Sequence, residues 1–310
     1  MALPSPSCLT AQLHFLARNP KYEYEKPYTL RYIPSPKDGL SQSNIDRVQH
    51  EVKFNDLRLR SLDYSECGFT VTDCSSTLQY DDYADTDKIE KIHAPEVMVA
   101  TSEAGSGSRL LMYDVDHTYE GGRAIIQETF GGEADAILAR RWHLDIQALS
   151  SVSLASVVPE AYLPSTRLPR DSATSVSAQH HIWNHPHHAV IGLTRWLASV
   201  WHPLRGPLVD WPLALCDAQT VDFARDTMAG DVVDRDHVFE NTQVHFNEGQ
   251  RWFYLSNQLP TELLIFKNAD SQEPLGANPG VPHASFDNPI TSKGDFRRES
   301  IEMRVLVQWD

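Results

Sequence analysis

The stretch PGVPHASFDNPITSKGDFRRESIEMRVLVQWD, residues 279–310, decides how the chain is read. His283 follows a proline turn and precedes Phe286, Asp287 and Pro289, and fifteen residues later Arg298 and Ser300 open the run Ile301, Met303, Val305, Val307. Apolar residues alternating at period two predict a half-buried strand that closes the fold. An arginine at the head of such a strand suits a carboxylate, because its planar guanidinium donates two parallel charge-assisted hydrogen bonds. The same pattern also describes an exposed loop histidine followed by a surface arginine paired with Glu299 or Asp295, so its surroundings must decide.

Upstream lie the blocks Trp201–Pro207 (WHPLRGP), Asp210–Asp217 (DWPLALCD), Arg251–Tyr254 (RWFY), Glu262–Lys267 (ELLIFK) and the early Phe54–Arg58 (FNDLR). Together with the tail, and in this order, they resemble the fungal hydroxylase/desaturase family typified by the aspergillic acid hydroxylase, which is related to a bacterial cephem methoxylase component. The resemblance covers most of residues 50–143 and 200–310. It implies a mainly β (α+β) fold, a double-stranded β-helix or jelly-roll core with flanking helices. It also implies iron(II) held by a His-x-Asp…His facial triad, and 2-oxoglutarate as cosubstrate. His283 then matches the distal metal ligand. Arg298 and Ser300 match the pair that holds the far carboxylate of the cosubstrate, with Arg304 a lesser candidate. The implied activity is that of an oxidoreductase of fungal secondary-metabolite or mycotoxin biosynthesis, a hydroxylase or desaturase acting on a small-molecule intermediate. Trp201, Tyr254 and Phe266 are read either as pocket lining or as barrel core.

The chain departs from that family at the other metal ligands. Members carry a Phe-Asp-His-Thr-like strand, a connecting segment, and then a Val-His-x-Asp-x-Thr strand. Here residues 110–121 read LLMYDVDHTYEG, as though the two strands were fused. Asp116 matches the carboxylate ligand, and Asp114 stands where the histidine belongs. Two residues apart on a strand, they share a face. An added carboxylate favours harder, oxygen-preferring ions over the imidazole-rich site that suits iron. His117 falls on the opposite face and is read as a packing or surface residue. This departure keeps a second reading open, a catalytically impaired family member or a cupin-like small-molecule binding protein.

A further departure is the stretch 143–199, which lacks a sustained period and is rich in Ser and Pro. It carries His180, His181, His185, His187 and His188, and reads as an irregular excursion. Its His143-Leu144-Asp145 matches His-x-Asp literally, but its flanks do not resemble the ligand strand. The domain reading is therefore an N-terminal arm over 1–50, with Tyr22, Tyr24, Tyr28 and Tyr32 covering the barrel, and an oxygenase-like domain over 51–310 interrupted at 143–199.

A net charge of −15 argues against nucleic acid and anionic membrane surfaces as partners. No apolar run approaches the ~20 residues that span a bilayer. The opening MALPSPSCLTAQLHFLARNP lacks the charged leader and apolar core of a signal peptide, so a cytoplasmic protein is expected. Cys8, Cys67, Cys74 and Cys216 have no zinc-site spacing and read as reduced thiols. Nucleophile elbow, Walker loop and dinucleotide fingerprint are all lacking. The acidic Tyr80–Asp87 lacks the glycine and glutamate of a calcium loop and reads as a helix start leading into Lys88–Lys91. A helix is expected over Gly122–Leu138, short strands from Val97 onward, and a turn at Asn257, Gln258 and Pro260.

Overall fold

The computed structural model describes residues 8–105, 109–118, 153–154, 194–234, 238–270, 280–292 and 294–309. In chain order its strands are β1 (Cys8–Leu16), β2 (Tyr28–Leu30), β3 (Arg47–Asp56), β4 (Phe69–Asp73), β5 (Arg109–Thr118), β6 (Ser153–Leu154) and β7 (Thr194–Pro203). They continue with β8 (Leu213–Cys216), β9 (Thr227–Val233), β10 (Val238–Val244), β11 (Trp252–Tyr254), β12 (Glu262–Asp270), β13 (His283–Ser285) and β14 (Ser300–Trp309). One sheet has nine strands in the order β1-β3-β11-β8-β13-β6-β10-β9-β2, and the other has five, β4-β12-β7-β14-β5. Within them only β11 with β3 and β2 with β9 run parallel. Sequence-distant strands lie side by side in two largely antiparallel sheets, as a jelly-roll requires.

Alternation along each strand explains the layers. In the five-stranded sheet, Trp201, Leu264 and Phe266 pack inward with Phe54, Leu215 and Ala284 of the nine-stranded sheet and with Phe286 just beyond β13. Their neighbours Ala198, Val200, Leu263, Ile265, Met303 and Val305 pack on the opposite face, against Ala94, Val97 and Ala100. Trp201, Tyr254 and Phe266 are therefore core residues, buried to 4% exposure or less. The expectation of short strands from Val97 onward fails at this point. Ala94, Val97 and Ala100 recur at helical spacing on the helix Ala94–Gly105, and this apolar stripe covers the sheet.

That helix begins where the acidic stretch predicted a helix start. Asp85 caps Thr86–Lys88, its carboxylate accepting from the Asp87 and Lys88 backbone N–H groups. A single π turn, Ile89–His93, follows, with the Ala94 N–H bonded to the Ile89 carbonyl. Pro95 comes next and has no N–H to donate, so the wider turn falls where the regular ladder would break anyway.

The N-terminal segment belongs to the fold. β1 pairs with β3 from Cys8↔Asn55 to Leu16↔Arg47, with Leu9, Ala11, Leu13 and Phe15 buried. Tyr22 is buried, donating its hydroxyl hydrogen to the Asn44 carbonyl and accepting from the Asp46 N–H, whereas Tyr24 is exposed and covers nothing. Thr194–Ser199, expected within the irregular excursion, form the first half of β7. The expected helix over 122–138, the His143–Asp145 match and the histidine cluster lie outside the described residues. A left-handed Asn257 (φ 48°) marks the expected turn between β11 and β12. All four cysteines are free thiols, and Cys216 is fully buried as a small hydrophobe. Among the described residues no helix is long and apolar enough to cross a membrane.

One buried cluster makes stability depend on pH. His93, from the π turn, stacks on His202 of β7 with ring centroids 5.1 Å apart, and Tyr83 edges onto both rings. The Tyr83 hydroxyl lies 3.3 Å from His93 Nδ1, and His202 Nε2 donates to the Pro260 carbonyl at 2.5 Å. Burial first, and then the neighbouring His202, depresses the His93 pKa to about 3 against a weaker pull from Glu96, and burial lowers that of His202. Unfolded, each imidazole titrates near 6.5. The unfolded chain therefore binds more protons below that pH. The stability held by keeping the pair neutral is complete above about 6.5 and drains away as pH falls toward about 3, by up to about 1.4 kcal/mol per pH unit per histidine. The urea midpoint is expected to fall between pH 7 and pH 5, and His93→Phe is expected to flatten that slope. An equally steep slope in the variant would remove this pair as the cause.

Candidate metal and cosubstrate site

His283 opens β13, inside the nine-stranded sheet, paired with Leu215 of β8 on one side and Ser153 of β6 on the other. Its Nδ1 lies 2.9 Å from the Val281 carbonyl, which only accepts, so Nδ1 carries the proton and Nε2 keeps its lone pair. A ligand histidine is commonly oriented in this way by a carbonyl on its other nitrogen. The ring leans on Phe266, with centroids 4.6 Å apart. Burial lowers its pKa, Glu302 and the Val281 carbonyl raise it, and Arg304 lowers it. The net direction is down, which favours the neutral, ligating imidazole.

Arg298 lies just before β14, and its guanidinium reaches the other sheet. Nη1 donates to the hydroxyl of Ser285, two residues beyond His283 on β13, and to the Trp211 carbonyl at 3.5 Å. Its backbone N–H donates to Asp210 Oδ2 at 2.9 Å. Glu299 accepts from the Tyr80 hydroxyl, and Asp295 accepts from the Ser292 N–H. Ser300 is buried at the start of β14, opposite Pro203 and Thr118. The structure thus brings Arg298 alongside the strand of His283.

Asp114 and Asp116 lie on β5, in the other sheet. Their register places Asp116 opposite Glu302 and Asp114 opposite Arg304, with a bulge beyond Arg304. Residues directly opposite in an antiparallel pair share a face, so both aspartates occupy the face of Ser300, Glu302 and Arg304. His117, opposite Ile301, falls on the helix-covered face as expected.

Sequence reasoning missed Glu302 and the residues behind it. Glu302 Oε1 accepts from Ser199 Oγ at 2.7 Å, and Ser199 Oγ accepts from Asn268 Nδ2 at 2.7 Å. The polar alternation Ser300, Glu302, Arg304 was visible in the sequence, but a half-buried strand would send that face to solvent. Among the described side chains, no three His, Cys, Asp or Glu groups converge as a metal cluster. The donor set is His283 and Glu302, with the β5 aspartates placed by register. A neutral imidazole nitrogen and a carboxylate are donor types that a divalent cation of the harder kind accepts. A guanidinium on a serine hydroxyl fits an organic carboxylate.

This is a two-sheet jelly-roll in which an arginine at the head of the closing strand bonds to the strand that carries a histidine. A family model described as oxidoreductase/YMDC permease-like domain matches residues 13–115 and 164–308, and the chain belongs to that family. It is similar to the Fe(II)/2-oxoglutarate-dependent dioxygenase nvfI of Aspergillus novofumigatus, 27% identical over 289 residues that cover 90% of each chain. It is also similar to the hydroxylase/desaturase asaB of Aspergillus flavus, 28% identical over 151 residues covering 44% of this chain and 62% of that one. Among solved structures it matches the iron and alpha-ketoglutarate-dependent endoperoxidase NvfI with a TM-score of 0.71 at 22% identity, over 98% of this chain and 99% of that one. The resemblance to the hydroxylase/desaturase group and the jelly-roll expectation both hold.

Proposed function

We propose that this chain is an oxidoreductase of fungal secondary metabolism, dependent on Fe(II) and 2-oxoglutarate, that hydroxylates or desaturates a small-molecule intermediate. The observation that carries this reading is the Arg298 guanidinium bonded to Ser285, two residues beyond a histidine whose Nδ1 carries the proton and whose Nε2 keeps its lone pair. His283 and Asp116 are assigned as metal ligands, Asp114 as an additional carboxylate on the same face, and Arg298 and Ser300 as the cosubstrate clamp. When bound, iron and 2-oxoglutarate supply the oxidising power that removes hydrogen from an unactivated carbon.

The protein residues do the positioning. Val281 fixes the imidazole tautomer, and Phe266 limits the tilt of the ring. Arg298 neutralises the distal carboxylate, and Ser300 adds a hydroxyl beside it. The apolar inner wall of Phe54, Phe266 and Phe286 keeps water from the reacting carbon. The domain reading is part of the proposal: an oxygenase-like domain over 51–310, interrupted from 143 up to the start of β7 at Thr194, with the segment 1–50 contributing β1 and β2 to its larger sheet. The absence of nucleic-acid and anionic-membrane partners belongs to it as well, on the strength of the net charge of −15, and a cytoplasmic location is proposed with it.

The test is anaerobic addition of Fe(II) and then 2-oxoglutarate to metal-free protein, followed by the visible charge-transfer band of the ternary complex and, with oxygen, by succinate formation. A band that is lost in His283→Ala and Asp116→Ala supports the assignment. A wild-type chain that gives neither band nor succinate would overturn it and leave a jelly-roll that binds small molecules without oxidising them.

A further inference from the structure

Among the described residues, the non-glycine positions with positive φ are Asn257 (48°) and Trp211 (44°). Asparagine tolerates that region because its short amide can bond locally, whereas a bulky aromatic residue there is a strained outlier. Such strain persists only where the surroundings over-determine it, and it concentrates beside functional sites. At Trp211 the surroundings are hydrogen bonds from the connection between β13 and β14. Asn288 Nδ2 and Thr291 Oγ1 both donate to the Val209 carbonyl, at 2.8 and 3.3 Å, and the Phe286 N–H donates to the Pro212 carbonyl at 3.3 Å. Asn288 is itself buried, so its amide has no water to turn to.

Between these anchors the turn presents two acceptors to one residue. Asp210 Oδ2 takes the Arg298 backbone N–H at 2.9 Å, and the Trp211 carbonyl lies 3.5 Å from Arg298 Nη1. The first contact fixes where the arginine leaves the chain. The second, together with the Ser285 hydroxyl, fixes where its fork points. A carbonyl takes its direction from the dihedrals of its own residue, so a Trp211 relaxed to extended backbone would swing that acceptor away from Arg298.

We propose that the left-handed turn at Trp211 positions the Arg298 guanidinium, which makes Asp210 and Trp211 positioning residues for the organic carboxylate bound there. The backbone conformation, not the indole, is what the arginine requires. This inference rests on the cosubstrate reading above.

The experiment takes two readouts on the full-length protein. Amide hydrogen exchange at Arg298, in metal-free protein, reads the turn without any cosubstrate. Isothermal titration of 2-oxoglutarate into the metal-loaded protein reads the guanidinium. Trp211→Val places a branched side chain where the left-handed region excludes it, and is expected to speed that exchange and to weaken 2-oxoglutarate binding, each about tenfold. Trp211→Asn and Trp211→Gly lose the whole indole but accept the left-handed region, and are expected to weaken binding by no more than about threefold. Asp210→Ala is expected to match the valine variant, and Asp210→Asn, which keeps an acceptor, to recover most of the loss. That pair reads the same question if the valine variant fails to fold. A role for the indole itself predicts the opposite order, with glycine the weakest binder. That order, or faster exchange with unchanged affinity, overturns the inference and leaves the oxygenase reading standing. A wild-type chain that binds no 2-oxoglutarate overturns both.

Discussion

Arg298→Ala is expected to weaken 2-oxoglutarate binding by about a hundredfold and to cut cosubstrate turnover to succinate in proportion at subsaturating concentrations. The magnitude follows from two charge-assisted hydrogen bonds to one carboxylate, each worth about 1.5–3 kcal/mol when fully made. Losing about 3 kcal/mol of binding is about a hundredfold in dissociation constant. The effect is separable from folding. The Arg298 backbone N–H, bonded to Asp210, is untouched by the substitution, and Ser285 remains paired through its strand with Leu213. Arg298→Lys sharpens the test. It retains the positive charge but replaces a planar fork by a single ammonium, so it should recover only part of the affinity. Isothermal titration with 2-oxoglutarate on the metal-loaded protein decides the matter. Unchanged affinity in both variants would return Arg298 to a structural role, tying β13 to the entrance of β14.

The sequence showed where β14 runs but not what its two faces meet. Ile301, Met303 and Val305 were read correctly as buried, yet Met303 and Val305 lie under the helix Ala94–Gly105, and Ile301 under Tyr83 and Ile89, rather than in the barrel interior. A sheet covered on both sides has no solvent face, and single-strand alternation carries no information about a third layer. The site therefore falls on the polar face that a two-layer reading gives to water. The covering helix was itself hidden by Val97, Val99 and Thr101, whose branched side chains favour strands, and by Pro95, which the π turn accommodates. The block resemblance singled out His283, Arg298 and Ser300 as candidates. Asp114 and Asp116 show the limit of local pattern. Their shared face was legible from spacing, but their partners Arg304 and Glu302 lie nearly two hundred residues away. Only the assembled sheet sets those positions opposite one another. Ser199, Asn268 and Glu302 gave no motif, because their link is a hydrogen-bond chain between three separate strands.

Gly280→Ala is expected to destabilise the protein by about 3 kcal/mol or more, and to disturb His283 as it does so. Gly280 has φ 142°, a region that residues with a side chain rarely occupy, at a cost of about 1–3 kcal/mol when forced. A methyl group there would also collide with the backbone of Asn268, lying 2.7 Å from its carbonyl carbon and 2.9 Å from its Cα. The Asn268 backbone is fixed between Lys267 and Ala269, both paired with β7, and does not yield as a flexible side chain would, so strain and overlap add. The consequence reaches the site along a short path. Val281 N–H donates to the Lys267 carbonyl at 2.7 Å, and the Val281 carbonyl holds His283 Nδ1. Pushing residue 280 away from the bulge at Asn268 moves the anchor of the imidazole. Gly39→Ala is the control, because Gly39 is also left-handed (φ 63°) but has nothing within 4 Å of an added Cβ. Its cost should be the conformational one alone, about 1–2 kcal/mol. Urea unfolding of the two variants beside wild type separates the contributions. If Gly280→Ala is no less stable than Gly39→Ala, then the Asn268 bulge yields to the methyl group, and the rigid link from that bulge to His283 is wrong.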